Sequence, residues 1–223
     1  MLSVMSENQP TTASTPYEEG HITIDGLNIG LLQERLAFVL SGELRHKPLD
    51  DHLHRSAWQL GATPFTVMGW SEGGRTAIHV AGQGGKNLVP RMILVSTGSR
   101  KLDILGMKNT DHWLPNAKAP YLEHCTYDFL KVQWAALCDV VQQVHDFCGG
   151  RFPSDYVLPK LECKSLILNG GMDRFCGDPK KDFVPVLKHC KVDIHAQGGH
   201  DFYLKYPKWF CARVQDFIRT NLP

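Results

Sequence analysis

A serine at position 71 has a glycine two residues before it and another two residues after it, in the pentapeptide Gly69–Gly73 (GWSEG). The apolar run before it predicts a β-strand, and the stretch from Glu72 to about Gln83 is compatible with a helix. A nucleophilic serine projects its hydroxyl from a tight strand-to-helix turn, where those two flanking positions lie too close together for side chains. The pattern predicts a nucleophile at Ser71; a glycine-rich loop without chemistry is the alternative.

Strand-like and helix-like segments alternate along both halves of the chain. The strand-like runs are short and rich in apolar residues. They cover His21–Asp25, Leu27–Leu32, Leu36–Leu40, Phe65–Gly69, Arg91–Ser96, Lys164–Asn169 and Val192–Ala196. Apolar residues at helical spacing predict further helices over Leu49–Leu60 and Lys208–Thr220. This order predicts an α/β fold with a mostly parallel sheet flanked by helices on both faces.

The middle of the chain departs from this alternation. Residues 100–158 contain prolines and a helical pattern around Lys131–Phe147, which predicts a helical cap inserted after a strand. Residues 1–20, rich in serine, threonine, proline and glutamate, predict a disordered tail. We therefore expect the core to comprise residues 21–99 and 159–223.

A candidate acid follows one of the later strands. Asp173 comes directly after the predicted strand Lys164–Asn169, in a loop that begins with two glycines. A base that activates a serine needs an orienting carboxylate, and we predict that Asp173 supplies it. An aspartate that only stabilises the turn is an equally weighted alternative. Asp178 is the second choice because it lies further from the strand.

A candidate base follows the next strand in the same way. His200 comes after the run Val192–Ala196 and two consecutive glycines. His195 is the competitor, but it falls within the strand run and is expected on a face of the sheet. The order serine, acid, histidine, with each residue just beyond a strand end, predicts that the three side chains meet at one edge of the sheet.

Charge and composition exclude several classes of partner. Lys and Arg number 24 against 23 Asp and Glu, so no electrostatic case exists for nucleic acid or an anionic membrane. No apolar stretch approaches the length of a transmembrane helix. We expect no cofactor and no metal; His52 and His54, two residues apart, would face different ways on a helix. A monomer that acts on a small-molecule substrate is the expectation, with association through an exposed strand edge as the alternative.

The seven cysteines include no C-x-x-C pair, and the N-terminal residues contain no apolar signal-peptide core. An odd number of scattered cysteines is typical of free thiols in a reducing compartment. The expectation is an intracellular, cytoplasmic protein.

Three of these segments resemble the valacyclovir hydrolase (biphenyl hydrolase-like) family of α/β-hydrolase serine hydrolases. The resemblance rests on Phe65–Arg75 (FTVMGWSEGGR), Leu168–Asp173 (LNGGMD) and Gly199-His200, and extends more weakly through the cap. It implies the α/β-hydrolase fold and cleavage of α-amino acid esters by a triad of Ser71, Asp173 and His200. Mitochondrial location is implied by resemblance alone.

The resemblance also implies a role for the acid beside the nucleophile. In the family, an acidic residue at this place is thought to receive the substrate's ammonium group. Glu72 stands here where the family usually has an aspartate, one methylene shorter. A glutamate that merely favours the N-terminus of its helix is an equally weighted reading.

The pattern of the family breaks between residues 45 and 70. The family places an oxyanion loop after its third strand, then a helix, a fourth strand and a second helix. The strand-to-helix turn that carries the nucleophile, called the elbow below, comes after these. Leu36–Leu40 and the segment 41–44 resemble the third strand and its loop, and only residues 45–70 then precede Ser71. One strand and one helix are expected to be missing, so that the second and third strands pair directly or leave an exposed edge.

This shortening bears on the oxyanion hole. The backbone N–H of Glu72 is the predicted first donor, and the second is expected near Glu43, whose charge would oppose an oxyanion. Loss of one donor typically costs about 10²–10³ in turnover. Three interpretations stay open: a serine esterase for small α-amino acid esters, a hydrolase of carbon–carbon bonds or other substrates with the same machinery, and a catalytically impaired variant.

Overall fold

The computed structural model describes residues 18–24, 27–33, 37–41, 63–98 and 108–220 of the chain. The predicted helix Leu49–Leu60, the loop residue Glu43 and the histidines His52 and His54 lie outside these residues. All the other predicted strands and helices have counterparts within them.

In the described residues, seven strands form one sheet whose spatial order is the same as their order in the chain. The first two hairpin-like pairings are antiparallel, and every later pairing is parallel. The strands are β1 (Glu18–Ile24), β2 (Leu27–Gln33), β3 (Ala37–Ser41), β4 (Thr66–Trp70), β5 (Arg91–Val95), β6 (Lys164–Gly170) and β7 (Cys190–His195). The mostly parallel sheet predicted from the sequence is confirmed.

The second and third strands pair directly. Leu31 and Leu32 of β2 lie opposite Phe38 and Ala37 of β3, and β3 then runs parallel to β4 along its whole length. Of the two outcomes expected from the shortened segment, direct pairing is therefore the one observed. Because each backbone group of a central strand needs a ladder partner, this pairing lets a smaller sheet form without a gap.

The first strand starts earlier than the sequence predicts. β1 begins at Glu18, three residues inside the segment 1–20 that was expected to be a disordered tail. Glu18, Glu19 and Gly20 continue the antiparallel ladder opposite Gln33, Leu32 and Leu31 of β2. Pairing with the long second strand thus overrides the polar composition of these residues.

Six α-helices accompany the sheet in the described residues. The longest, α3, starts after Thr126, whose hydroxyl accepts a hydrogen bond from the Phe129 N–H and caps the helix. The helices are α1 (Glu72–Leu88), α2 (Pro115–Leu122), α3 (Tyr127–Phe147), α4 (Pro179–Asp182), α5 (Phe202–Lys205) and α6 (Pro207–Thr220). α1 is interrupted at Gly85, whose positive φ of 63° is a conformation that glycine adopts without strain.

Alternate residues of the parallel strands pack into two cores, one on each face of the sheet. On one face Val67, Met92 and Ile167 join Ala77 and Ile78 of α1. On the other face Met68, Ile93 and Leu168 pack against Phe202 and Phe217, which belong to α5 and α6. Because both faces are buried, the middle residues of β4, β5 and β6 form continuous apolar runs, as expected for a parallel sheet.

The chain divides into two compact units, residues 1–98 with 154–223, and residues 99–153. The second unit contains α2 and α3 and is shorter at its end than the predicted cap 100–158. Leu158 is fully buried in the main hydrophobic core and Val157 packs against it, so residues after Pro153 belong with the first unit. That this second unit is a cap stays a prediction.

Within the described residues, no helix has the length and apolarity that crossing a membrane requires. All seven cysteines are free thiols.

Candidate active site

Ser71 lies on the turn between β4 and α1 in a strained conformation. Its φ of 55° and ψ of −122° fall in a region that residues with side chains seldom adopt. Two backbone hydrogen bonds stabilise the turn. The Ser71 N–H donates to the Val95 carbonyl at 2.9 Å, and the Gly74 N–H donates to the Ser71 carbonyl at 3.1 Å. The backbone therefore presents the hydroxyl outward, as the sequence pattern predicts.

Two glycines near Ser71, Gly69 and Gly74, are required because neighbouring atoms approach them closely. A Cβ on Gly69 would collide with the backbone carbonyl of Gly73, so the strand and the helix touch at this point. A Cβ on Gly74 would collide with the Thr97 hydroxyl. These contacts explain the glycine two residues before the serine and the glycine three residues after it.

The loops after β6 and β7 interlock. A Cβ on Gly170 would collide with the carbonyl oxygens of Gly198 and Gly199, and the Met172 N–H donates to the Gly198 carbonyl at 2.8 Å. Glycines let the two backbones approach closely enough for the side chains at the loop ends to meet. The sequence places Asp173 on one of these loops and His200 on the other.

The structure brings Ser71, His200 and Asp173 into one chain of hydrogen bonds. His200 Nε2 lies 3.0 Å from Ser71 Oγ, and His200 Nδ1 lies 2.9 Å from Asp173 Oδ2. With the proton on Nδ1 donated to the carboxylate, Nε2 is left as an acceptor for the serine hydroxyl. The structure thus brings the three predicted residues within hydrogen-bond distance of one another in the predicted order; this chain is called the triad below.

Asp173 is held as an anion by its surroundings. Its side chain is only 1% exposed, and this burial by itself raises the pKa of the carboxyl. The hydrogen bond and charge of His200 lower it, as do the Phe175 N–H, which donates to Oδ1 at 2.8 Å, and the Cys176 thiol. These hydrogen bonds outweigh burial, so the pKa of Asp173 lies below its ordinary value.

His200 is held in place by two aromatic residues that the sequence analysis did not identify. The Trp70 indole N–H donates to the His200 carbonyl at 3.0 Å, and its ring lies 5.2 Å from the imidazole. Phe175 meets the imidazole edge-on at 5.1 Å. Trp70 lies inside the elbow pentapeptide, so its place in the sequence was a signal; nothing in the sequence marks Phe175.

Glu72 begins α1 directly after Ser71. The first N–H groups of a helix have no partner within the helix, so the Glu72 N–H can serve as an oxyanion donor. The Glu72 carboxylate, 60% exposed, accepts a hydrogen bond from Arg75 Nε at 3.0 Å. Arg75 also donates to the Ser154 hydroxyl at 3.4 Å. The second predicted donor, near Glu43, lies outside the described residues.

The two competitors for acid and base have other places. Asp178 caps the short helix α4, where its Oδ1 accepts from the Lys180 N–H at 3.0 Å. His195 is the last residue of β7, and its ring stacks on Tyr206 at a centroid distance of 3.8 Å. His195 is thus a packed strand residue, as the sequence predicts.

Cys176 is the residue of this site that sequence reasoning missed. Its thiol is buried and donates to Asp173, and burial together with that carboxylate raises the pKa of the thiol well above its ordinary value. Ligand-type atoms of Asp173, Cys176 and His200 all lie within 4.8 Å of one another. Among the described residues, this is the group of side chains with the composition and proximity to hold a metal ion.

The order of this sheet, with a serine elbow after one parallel strand and an acid and a histidine after the two last ones, defines the α/β-hydrolase fold. A solved membrane phospholipase A, a bacterial virulence factor, is 16% identical and superposes with a TM-score of 0.63, over 92% of this chain and 86% of that one. The α/β hydrolase MGS-MChE2 from a lagoon-sediment metagenome superposes with a TM-score of 0.51 at 16% identity, over 78% of this chain and 69% of that one.

In sequence, the chain is similar to serine hydrolase BPHL of Mus musculus, with 24% identity over 162 residues. The match covers 69% of this chain and 54% of BPHL, so the chain spans about half the length of this relative. No family model matches the chain. The similarity supports the resemblance to the valacyclovir hydrolase family that the elbow and the two loops indicate.

Proposed function

We propose that the chain is a serine hydrolase that cleaves small carboxylic esters through an acyl-enzyme on Ser71. The observation that carries this proposal is the unbroken hydrogen-bond chain from Ser71 through His200 to Asp173, on a strained elbow and two interlocked loops. The similarity to a serine hydrolase over two thirds of the chain supports the same reaction type.

In the proposed reaction each group of the triad has its own step. His200 Nε2 takes the hydroxyl proton as Ser71 Oγ attacks the ester carbonyl, and Asp173 stabilises the imidazolium that forms. The Glu72 N–H stabilises the negative charge on the carbonyl oxygen. His200 then gives the proton to the departing alkoxide, which leaves an acyl group on Ser71. Water, activated by His200 in the same way, releases the acid and restores the serine.

For the substrate class we propose α-amino acid esters, with the Glu72 carboxylate as the receptor of the ammonium group. Glu72 follows the nucleophile directly, and its side chain is largely exposed. Arg75 already pairs with this carboxylate, so an incoming ammonium has to share or replace that partner. An exposed ion pair is worth only about 0.2–1 kcal/mol, so this competition weakens amine binding without preventing it.

A fluorophosphonate probe tests the nucleophile. The wild-type protein is expected to be labelled covalently, and Ser71→Ala is expected to lose all labelling. Ser154→Ala is the matched control, because it removes a serine hydroxyl of the first unit that is bonded to Arg75 and not to the triad. Equal labelling of wild type and Ser71→Ala would refute the assignment. So would a wild-type protein that is not labelled although its cooperative thermal unfolding shows that it is folded.

A pair of substrates tests the ester class. Activated aminoacyl esters are compared with their N-acetylated counterparts, which have the same acyl chain and no positive charge. The proposal expects a higher kcat/KM for the free amine and loss of that preference in Glu72→Gln. Wild-type protein that does not distinguish the two would remove Glu72 as the amine receptor and leave the esterase proposal standing.

A further inference from the structure

Three chemically different metal-binding groups converge at the acid end of the triad. Asp173 and Cys176 lie three residues apart in the loop after β6, and His200 comes from the loop after β7. A carboxylate oxygen, the thiol sulfur and a ring nitrogen lie within 4.8 Å of one another. His200 remains the most accessible of these groups, with 22% of its side chain exposed.

This donor set suits zinc. Thiolate is a soft ligand and imidazole a borderline one, and both favour Zn²⁺ over Mg²⁺ or Ca²⁺. A carboxylate completes a set of three protein ligands, and water takes the fourth position. Ligand atoms around tetrahedral zinc are separated by about 3.4 Å, given bond lengths of about 2.0–2.3 Å. The 2.9 Å between His200 Nδ1 and Asp173 Oδ2 therefore has to widen by about 0.5 Å, and a pair at the 4.8 Å limit of this group has to close by about 1.4 Å.

Charge also favours the ion. The Asp173 carboxylate and a Cys176 thiolate together carry two negative charges, which Zn²⁺ neutralises. Nearby, Glu72 and Arg75 already neutralise each other. A bound ion thus leaves the partly buried site without an unpaired charge, which is the condition for burying ionised groups at moderate cost.

We propose that Asp173, Cys176 and His200 form an inhibitory Zn²⁺ site within the triad. Binding releases the thiol proton of Cys176 to solvent, and the imidazole moves its proton from Nδ1 to Nε2 as Nδ1 takes the metal. The Nε2 atom that faces Ser71 Oγ then carries a proton and has no lone pair to accept the hydroxyl proton. Ser71 is no longer activated, and the triad is switched off without any change to the elbow.

Metal binding is measured first, without any use of activity. Purified full-length protein is titrated with Co²⁺, which takes the place of Zn²⁺ and shows a near-ultraviolet thiolate-to-metal absorption band, and Zn²⁺ affinity is obtained by calorimetry. Wild type and Ser71→Ala are expected to bind one ion with the band, because Ser71 supplies no ligand. Cys176→Ser, which keeps a hydrogen-bond donor beside Asp173, is expected to lose the band and to bind Zn²⁺ at least roughly 10–100-fold more weakly.

Cys211→Ser is the matched control, because Cys211 is an exposed thiol away from this group. It is expected to bind like wild type. An unchanged band and affinity in Cys176→Ser would overturn the proposal, as would absence of binding by wild type or loss of binding in Ser71→Ala.

Inhibition is measured second, and this step rests on the proposed function. Saturating Zn²⁺ is expected to prevent fluorophosphonate labelling of wild type, with recovery on addition of a chelator, whereas Cys176→Ser keeps its own metal-free labelling at the same Zn²⁺ concentration. Labelling of wild type that persists in saturating Zn²⁺ would overturn the inhibitory role. If wild type is never labelled, the proposed function fails while the Co²⁺ and Zn²⁺ measurements still decide whether the metal site exists.

Discussion

His200 Nδ1 lies 2.9 Å from Asp173 Oδ2, and the carboxylate at the other end of this hydrogen bond is almost completely buried. The exposed side of the pair is the imidazole, which faces Ser71. In the proposed mechanism the acid therefore acts only through the histidine, and its burial keeps water from competing for the Nδ1 proton.

Asp173→Asn is expected to lower kcat by roughly 10⁴-fold with little change in KM. An amide at this position can donate to Nδ1, which favours the tautomer with the proton on Nε2 and removes the acceptor that Ser71 needs. The measurement is steady-state hydrolysis of an activated ester. Asp178→Asn, which changes a carboxylate at the start of α4, is the control and should retain activity. Comparable rates in both variants would show that Asp173 is not the orienting acid.

The lowered pKa of Asp173 also predicts how stability depends on pH. A carboxyl whose pKa is lower in the folded state contributes stability above its unfolded value of about 3.9, and this contribution is lost as the pH falls through the folded pKa. Below about pH 4, the unfolding free energy of wild type should therefore fall more steeply than that of Asp173→Asn. Urea unfolding at a series of pH values measures both slopes. Parallel curves would contradict the assigned hydrogen bonds.

The interlocked loops predict a contrast between two adjacent glycines. A Cβ on Gly198 would lie 2.6 Å from the Phe202 Cβ and 3.1 Å from the Gly170 Cα, whereas the nearest atom to a Cβ on Gly199 is Asp201 Oδ1 at 3.6 Å. Gly198→Ala is expected to lower the unfolding free energy by about 1–3 kcal/mol through overpacking. Gly199→Ala should change it by no more than about 1 kcal/mol.

Chemical denaturation of the two variants measures this contrast directly. Because the two glycines are neighbours in one loop, each serves as the control for the other. If both alanines destabilise the protein equally, the close approach of the loops is wrong.

The hydrogen bond from Trp70 to the His200 carbonyl predicts an effect on turnover. Trp70→Phe keeps an aromatic ring but removes the donor, and loss of one hydrogen bond in this half-buried place costs about 0.5–1.5 kcal/mol of stability. Since the loop that carries the imidazole is then less firmly held, kcat should fall by up to roughly 10-fold while KM changes little. Trp113→Phe, which removes an indole from the second unit, is the control. An equal fall in the kcat of that variant would argue against a role of Trp70 in positioning His200.

The triad was predictable because each of its residues lies within a few residues of the end of a strand. Parallel strands bring their carboxyl ends to one edge, so Ser71, Asp173 and His200 needed only strand assignments to be placed together. Cys176 was not predictable in this way, because its contact with Asp173 depends on how the loop after β6 folds back. Phe175 was missed for the same reason.

The limits of the fold prediction come from contacts between segments that are distant in the sequence. The sequence left open whether β2 and β3 pair or stand apart, since no local signal in either strand encodes a partner. The strand character of Glu18 comes from its partner Gln33, and the place of Leu158 comes from a core made by distant segments. Both depend on contacts between residues far apart in sequence, which propensity does not report.

The ion pair between Arg75 and Glu72 predicts that Arg75 restrains the preference for amino esters. Arg75 Nε lies 3.0 Å from the Glu72 carboxylate, so a substrate ammonium competes with a guanidinium that is already in place. Arg75→Gln removes the competitor and leaves the carboxylate. The ratio of kcat/KM for an aminoacyl ester to that for its N-acetylated counterpart should then rise by up to about 5-fold, the equivalent of an exposed ion pair.

A ratio of two substrates on the same variant is unaffected by partial loss of folded protein, so lower stability of Arg75→Gln does not obscure the result. Lys86→Gln provides the matched control, because it removes a positive charge from the same helix at an exposed pair with Glu162. Its substrate ratio should stay at the wild-type value, whereas Glu72→Gln should bring the ratio close to one. An unchanged or lower ratio in Arg75→Gln would mean that the Glu72 carboxylate does not meet the substrate's amine, and that the guanidinium beside it acts on some other part of the substrate or only on the helix.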